Sequence, residues 1–203
     1  MSDLRMEVLR LPGVDLGGES SLPPIANVNN VQQQTASALG EEEGLFIGFG
    51  HIPNGFPYRQ QDLYERELME KELTVAVLEN PHLKAIFAPT LGGRLLSLYD
   101  KDEGRELLFR NPVFRTGNLA VRNAWFSGGV EWNMGVVGHG PYTASPLFTA
   151  RLQLPDGTPV LRIYGYERIR RATWQMDFFL PEDARLLYCR MRVVNPRTET
   201  IPM

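Results

Sequence analysis

The residues best suited to chemistry lie in one glycine-rich stretch, residues 123–142. Five glycines interrupt it, so the backbone can turn freely and bring side chains together. An aromatic face can pack against the C–H side of a sugar ring, while carboxylate and amide groups hydrogen-bond sugar hydroxyls. The stretch supplies this mixture in Trp125, Glu131, Trp132, Asn133, His139 and Tyr142. We therefore expect a carbohydrate-type binding site here.

Glu131 and His139 are a candidate catalytic pair, because carboxylate and imidazole groups both serve as general acids and bases. Trp132 and Tyr142 are the candidate stacking surfaces. A structural alternative stays open, in which Glu131 forms a salt bridge, Trp132 fills the core and His139 caps a turn. The spacing of these residues does not decide between the two interpretations.

The sequence gives little support for a metal site, a phosphate-binding loop or a cysteine nucleophile. The three histidines, His51, His82 and His139, are far apart in sequence, so no metal site is predicted. Gly92-Gly93-Arg94 lacks the Lys-Ser/Thr and the helix of a phosphate loop, and no cofactor is predicted. The single Cys189 alternates with polar neighbours as a small apolar strand residue does. We interpret it as a buried structural thiol rather than a nucleophile.

The elements that must position these residues are mainly strands. From Leu73 onward, apolar and polar residues alternate with a period of two, and turn sequences separate the runs. Each run has one apolar and one polar face, as in 161–166, 174–178 and 187–193. The prediction is an all-β, mainly antiparallel sandwich.

The first third of the chain is less regular. Residues 5–11 alternate enough to form one edge strand. Residues 12–44 are rich in Pro, Gly and polar residues, which predicts a flexible linker, and 44–57 reads as ordered but irregular. Residues 62–73 fit either a helix capped by Asp62 or a strand. These features divide the chain into 1–57, with strand, linker and irregular segment, and a β-domain over 58–203.

Charge and hydropathy narrow the partners. The chain has 203 residues, with 21 Lys+Arg against 24 Asp+Glu, so no strong field gathers phosphates, and nucleic acid is not expected as a partner. No run approaches the roughly 18 apolar residues of a membrane span, and Met1 to Met6 do not begin a secretory signal. We expect a cytoplasmic protein without membrane contact, and the sequence leaves its oligomeric state open.

A family resemblance adds to this pattern. Residues 78–108, with Leu91-Gly92-Gly93-Arg94 between two strand-like runs, resemble the opening of galactose-mutarotase-like (aldose 1-epimerase-like) domains. Residues 110–114, 128–141, 158–164 and 193–196 are similar to an uncharacterised bacterial family in which such a domain precedes C-terminal tetratricopeptide repeats. The resemblance covers roughly 58–203.

The resemblance implies a β-supersandwich that binds carbohydrate, of which 58–203 would be the first part, cut off at its C-terminus. It also implies that Arg94 and Arg122 face the sugar, although either could be an ordinary surface or salt-bridging residue. The glutamate that mutarotases use late in the chain would lie beyond Met203. Glu131 also precedes His139 where such enzymes have a His-Gly-Gly pattern, so the resemblance favours sugar binding over mutarotation.

Three functions follow as hypotheses. The first is a carbohydrate-binding or carbohydrate-processing domain that uses the residues named above. The second is a non-catalytic module that supports downstream repeats and interacts with protein. The third is a glycoside hydrolase, which needs two carboxylates about 5 to 9.5 Å apart; the sequence offers only Glu131 as a strong candidate.

Overall fold

The protein is all-β. The computed structural model describes residues 1–22, 56–134 and 138–201, and this part of the chain contains strands and no helix. Eleven strands follow in order: β1 (Asp3–Gly13), β2 (Met69–Glu79), β3 (Leu83–Ala88), β4 (Arg94–Asp100), β5 (Arg105–Glu106), β6 (Thr116–Ala120), β7 (Asn123–Phe126), β8 (Phe148–Gln153), β9 (Pro159–Glu167), β10 (Ala172–Phe179) and β11 (Tyr188–Val194). The predicted fold class is confirmed.

The strands form three antiparallel sheets. The five-stranded sheet has the order β1-β2-β3-β4-β5, the four-stranded sheet has the order β11-β10-β9-β8, and β6 and β7 form a hairpin. Every ladder pairs its strands antiparallel. Such pairing needs only short turns between neighbours, which agrees with the frequent turn sequences.

The main core lies between the five-stranded and four-stranded sheets. Phe87 of β3 and Phe178 of β10 meet there with ring centroids 4.7 Å apart. A second apolar cluster covers the opposite face of the five-stranded sheet, where Val75 and Val77 pack with Phe114 and Phe126. The central strands of the five-stranded sheet are therefore buried on both faces. This explains why residues 75–78 of β2 are all buried and read as one apolar run rather than an alternation.

The N-terminal strand is confirmed and longer than expected. β1 pairs with β2 along its whole length, from Asp3 opposite Glu79 to Gly13 opposite Met69, and it forms the edge of the sheet. The next residue, Val14, is fully buried, and its N–H donates to the carbonyl of Phe114. The predicted linker thus begins with residues that pack on the β-domain. Residues 23–55, where most of that linker and of the irregular segment fall, lie outside the described residues.

The helix considered for residues 62–73 is wrong. Residues 62–68 form no helix, and β2 begins at Met69. Of the four residues that would have formed the apolar face of that helix, Leu63, Leu68 and Met69 are exposed, and Leu73 is buried as part of β2. Without a partner surface, an amphipathic pattern of this length does not hold a helix. The strand alternative is correct from Met69 onward.

Cys189 is exposed, so the interpretation as a buried thiol is wrong. It lies on β11, at the edge of the four-stranded sheet, opposite Phe178. Phe178 is covered by the five-stranded sheet, but every residue of β11 is exposed. The apolar alternation in β11 therefore predicted a strand correctly but did not predict burial. No helix in the described residues has the length and apolar character needed to cross a bilayer.

Candidate functional site

A bridge between β4 and the glycine-rich stretch places Glu131. Leu95 and Val130 exchange backbone hydrogen bonds of 3.2 and 2.9 Å, which fix residue 131 beside the start of β4. Gly129 precedes the bridge with a φ of 68°, and a Cβ there would overlap the carbonyl oxygen of Leu95. Only glycine allows this close approach without displacing β4.

The Glu131 carboxylate is held by three donors. Arg94 Nη2 and Trp125 Nε1 donate to Oε2 at 2.8 and 2.7 Å, and His139 Nδ1 lies 3.0 Å from Oε1. We call Arg94, Trp125, Glu131 and His139 the Glu131 cluster. All four residues were predicted as site residues, and the structure brings them together through strands β4 and β7 and the turn after Gly128.

Arg94 is the buried base of the cluster. Its side chain is 2% exposed and also donates to the carbonyl oxygens of Phe126 and Gly128, at 2.6 and 3.1 Å, and to Thr143 Oγ1 at 2.7 Å. Burial lowers the pKa of this guanidinium, and the charge of Glu131 opposes that effect. Arg94 therefore organises the cluster from inside the protein, as the salt-bridging alternative anticipated.

His139 is more accessible than the carboxylate that it contacts. Its side chain is 37% exposed, against 12% for Glu131, and its ring centroid lies 4.9 Å from that of Trp125. A carboxylate only accepts hydrogen bonds, so the 3.0 Å contact with Glu131 is made by the His139 tautomer that has Nδ1–H. The other ring nitrogen, Nε2, then carries the lone pair. The arrangement fixes one tautomer and can accept a proton or a hydrogen bond from a ligand.

Trp132 and Asn133 follow Glu131 in sequence, but their side chains make their contacts outside the Glu131 cluster. Trp132 packs against Phe178 of the main core, with ring centroids 5.1 Å apart, and donates to the carbonyl of Gly93 at 2.8 Å. Asn133 is exposed, and its Oδ1 accepts from the N–H of Gly140, the residue after His139, at 2.6 Å. Trp125, rather than Trp132, is the indole beside His139.

Arg122 and Tyr142 line a different cleft. Arg122 donates to Arg59 O at 2.7 Å, to Pro141 O at 3.0 Å and to Ser145 Oγ at 2.8 Å, and it also pairs with Glu19. The cleft has a volume of about 410 Å³, and exposed aromatic rings of Phe148 and Tyr166 stand at its wall. The two predicted sugar-facing arginines thus hold the 141–145 turn from separate points, Arg94 through Thr143 and Arg122 through Pro141 and Ser145.

A buried hydroxyl network at this cleft was not predicted from the sequence. Tyr58 and Tyr142 hydroxyls lie 2.6 Å apart; Tyr58 donates to Glu167 Oε1 at 3.0 Å and Tyr142 to the carbonyl of Tyr166 at 2.8 Å. Burial raises the pKa of both tyrosines well above the ordinary value. Tyr58, Tyr142 and Glu167 are far apart in sequence and show no spacing that would join them.

Fold and site together define an antiparallel β-sandwich in which Arg94 binds the carboxylate of a Glu131–His139 pair, next to the close backbone approach at Gly129. The chain belongs to the family described as Domain of unknown function (DUF5107), whose model matches residues 51–203. Its fold is similar to that of a TPR-domain containing protein from Parabacteroides distasonis, with a TM-score of 0.74 and 20% sequence identity. The match covers 97% of this chain and 30% of that protein, so this chain spans less than a third of its length.

Proposed function

We propose that this chain is a carbohydrate-binding domain of galactose-mutarotase-like fold, and that His139 and Trp125 form its sugar-reading surface. The observation that carries the proposal is the Glu131 carboxylate, which holds an accessible imidazole and an indole side by side. An indole face supports the C–H side of a sugar ring, and an oriented imidazole nitrogen bonds a hydroxyl.

The hydrogen bonds that the Glu131 carboxylate accepts favour a role in ligand binding over a role in catalysis. Its two oxygens already accept from Arg94, Trp125 and His139, which leaves His139 as the group that meets a ligand. Imidazole is a general acid–base group, so the same geometry also suits proton transfer to or from a bound sugar. Binding is the part of the proposal to be tested first.

The chain contains a matched control for the test. His82 Nδ1 lies 2.9 Å from Asp102 Oδ2, so it is also a partly exposed histidine on a carboxylate, but without an indole beside it among the described contacts. The experiment screens the wild-type chain on a glycan array and then titrates the best ligand. We expect His139→Ala to weaken binding about tenfold or more and His82→Ala to change it less than twofold.

Trp125→Phe separates stacking from orientation. It keeps an aromatic face but removes the Nε1–H bond to Glu131, so we expect a smaller loss than for His139→Ala. Thermal unfolding of each variant checks that the fold is intact. Wild-type affinity in His139→Ala, or an array on which the wild-type chain binds nothing, would overturn the proposal.

A second candidate function is a non-catalytic module that accompanies helical repeats. The observation that favours it is the similarity to a TPR-domain containing protein three times longer than the matched region. Under this function the Glu131 cluster only stabilises the 123–142 stretch. His139→Ala would then lower the melting temperature without changing binding to any glycan.

A further inference from the structure

The outward face of the four-stranded sheet carries a charged row across three strands. Arg162 of β9 and Arg190 of β11 both stand opposite Asp177 of β10. Arg162 donates to Asp177 through Nε at 2.6 Å and Nη2 at 2.8 Å, and Arg190 donates through Nη2 at 2.9 Å. We call these three residues the Asp177 row. It shares no residue with the Glu131 cluster.

The row presents positive charge outward. Asp177 is completely buried beneath the two arginines, whereas the side chains of Arg162 and Arg190 are 28% and 59% exposed. Two cations against one anion leave a net charge of about +1 on the row. A guanidinium has five N–H groups, and the described residues engage only one of those of Arg190, so most of its fork can meet a ligand.

Aromatic pairs flank the row on both sides. Phe148 and Tyr164 stack with centroids 5.5 Å apart and an interplanar angle of 24°, and Phe179 and Tyr188 stack at 5.3 Å and 6°. Tyr164 lies two residues from Arg162 on β9, and Tyr188 lies two residues from Arg190 on β11. Two residues along a strand span about 7 Å, so each pair borders the row on the same face.

We propose that this face binds a sugar that carries a carboxylate, of the uronic acid class. The sugar ring packs on one aromatic pair, and its carboxylate accepts from the exposed fork of Arg190 and from the remaining N–H groups of Arg162. The stacked rings select a ring with a flat C–H face, which an acidic peptide lacks. The paired arginines select the anion, which a neutral sugar lacks.

This inference does not rest on the proposed function, because the two sites use different residues and different ligand chemistry. The test titrates the chain with trigalacturonate, with the neutral galactose trisaccharide and with triglutamate. We expect trigalacturonate to bind at least about tenfold more tightly than either of the others, which corresponds to one charge-assisted contact. Added salt should weaken that binding.

Variants locate the binding on the face. Arg190→Ala should weaken trigalacturonate binding about tenfold, and Arg190→Lys, which keeps the charge but loses the fork, should weaken it less. Tyr188→Ala should also weaken it. The matched control is Arg10→Ala, which removes an equally exposed arginine that pairs with Glu72 on the other sheet, and it should change affinity less than twofold.

Arg190→Ala should remain folded, because Asp177 keeps both bonds from Arg162. An unchanged thermal transition checks this. The proposal is overturned by absence of trigalacturonate binding, by equal affinity for triglutamate or the neutral trisaccharide, or by wild-type affinity in Arg190→Ala.

Discussion

Two arginine–carboxylate groups in this protein are built in opposite ways. In the Glu131 cluster the arginine is inside and the histidine reaches solvent; Arg94 is 2% exposed and His139 37%. In the Asp177 row the carboxylate is inside and the arginines reach solvent. The buried partner sets the geometry in each case, and the outer partner determines what a ligand would meet.

The difference follows from the sheets that carry the two groups. Arg94 begins β4 in the centre of a sheet that is covered there on both faces, so its Nη1 and Nη2 groups find their partners inside the protein, while Nε has no partner among the described residues. Asp177 lies on a sheet that buries one face and leaves the other open, so long arginine side chains can cover it and still reach water. An arginine–carboxylate pair therefore leaves an imidazole accessible in the Glu131 cluster and leaves two arginines accessible in the Asp177 row.

The largest expected effect is the loss of the buried arginine. Arg94→Leu leaves Glu131 mostly buried without its cation, which should lower the free energy of unfolding by about 3–5 kcal/mol. Equilibrium urea unfolding measures it. The double variant Arg94→Leu with Glu131→Gln removes the orphaned charge and should recover part of the loss.

Arg162→Leu is the matched control, because Asp177 keeps its bond from Arg190 and loss of the partly exposed Arg162 guanidinium, which covers the carboxylate, lets water reach it. Its cost should be about 1–2 kcal/mol. An equal loss in both arginine variants would mean that the two groups do not differ in the way proposed.

A smaller effect depends on pH. Hydrogen bonds from Arg162, opposed by burial and then helped by Arg190, hold the pKa of Asp177 below its ordinary value. A carboxyl with a depressed folded-state pKa stabilises the fold above its unfolded pKa of about 3.9, and this contribution is lost as the pH falls through the folded-state pKa. Asp177→Asn should therefore cost about 1–3 kcal/mol at neutral pH and progressively less in acid.

Urea unfolding at a series of pH values checks this dependence. Asp183→Asn, at an exposed position outside the row, should stay within about 0.5 kcal/mol of the wild-type chain at each pH. A cost for Asp177→Asn that does not shrink in acid would show that its charge is not the stabilising feature.

Much of the fold could be predicted because a strand with one buried face alternates apolar and polar residues along its sequence. β9 and β10 alternate between buried and more exposed residues, as expected. The prediction was wrong or incomplete where burial depends on a distant element. Residues 75–78 of β2 are buried on both faces and show no alternation in burial, whereas β11 alternates in sequence although each of its residues is exposed.

In the candidate site, too, contacts between residues that are close in sequence could be predicted, and contacts that depend on a distant strand could not. Glu131, His139 and Trp125 lie within 15 residues of one another, so turns in a glycine-rich stretch could be expected to join them. Arg94 was predicted only through the family resemblance, since its contact with Glu131 depends on the register between Leu95 and Val130. Trp132 was expected beside His139, but a neighbouring residue on an extended chain points to the opposite side, and its ring packs in the core.

The smallest expected effect concerns Cys189, which lies on β11 next to Arg190 of the row. Because the residue is exposed, a thiol reagent should label it in the native chain without denaturant. Partial desolvation by neighbouring residues and, to a lesser degree, the Asp177 charge raise the pKa of this thiol even though its side chain is accessible. The labelling rate at neutral pH should therefore be lower than that of free cysteine and should rise with pH. Asp177→Asn removes the second cause and should modestly increase the rate. Labelling that requires unfolding would contradict the exposure of Cys189 and show that the side of β11 facing away from the Asp177 row is covered, because adjacent strand residues point to opposite faces.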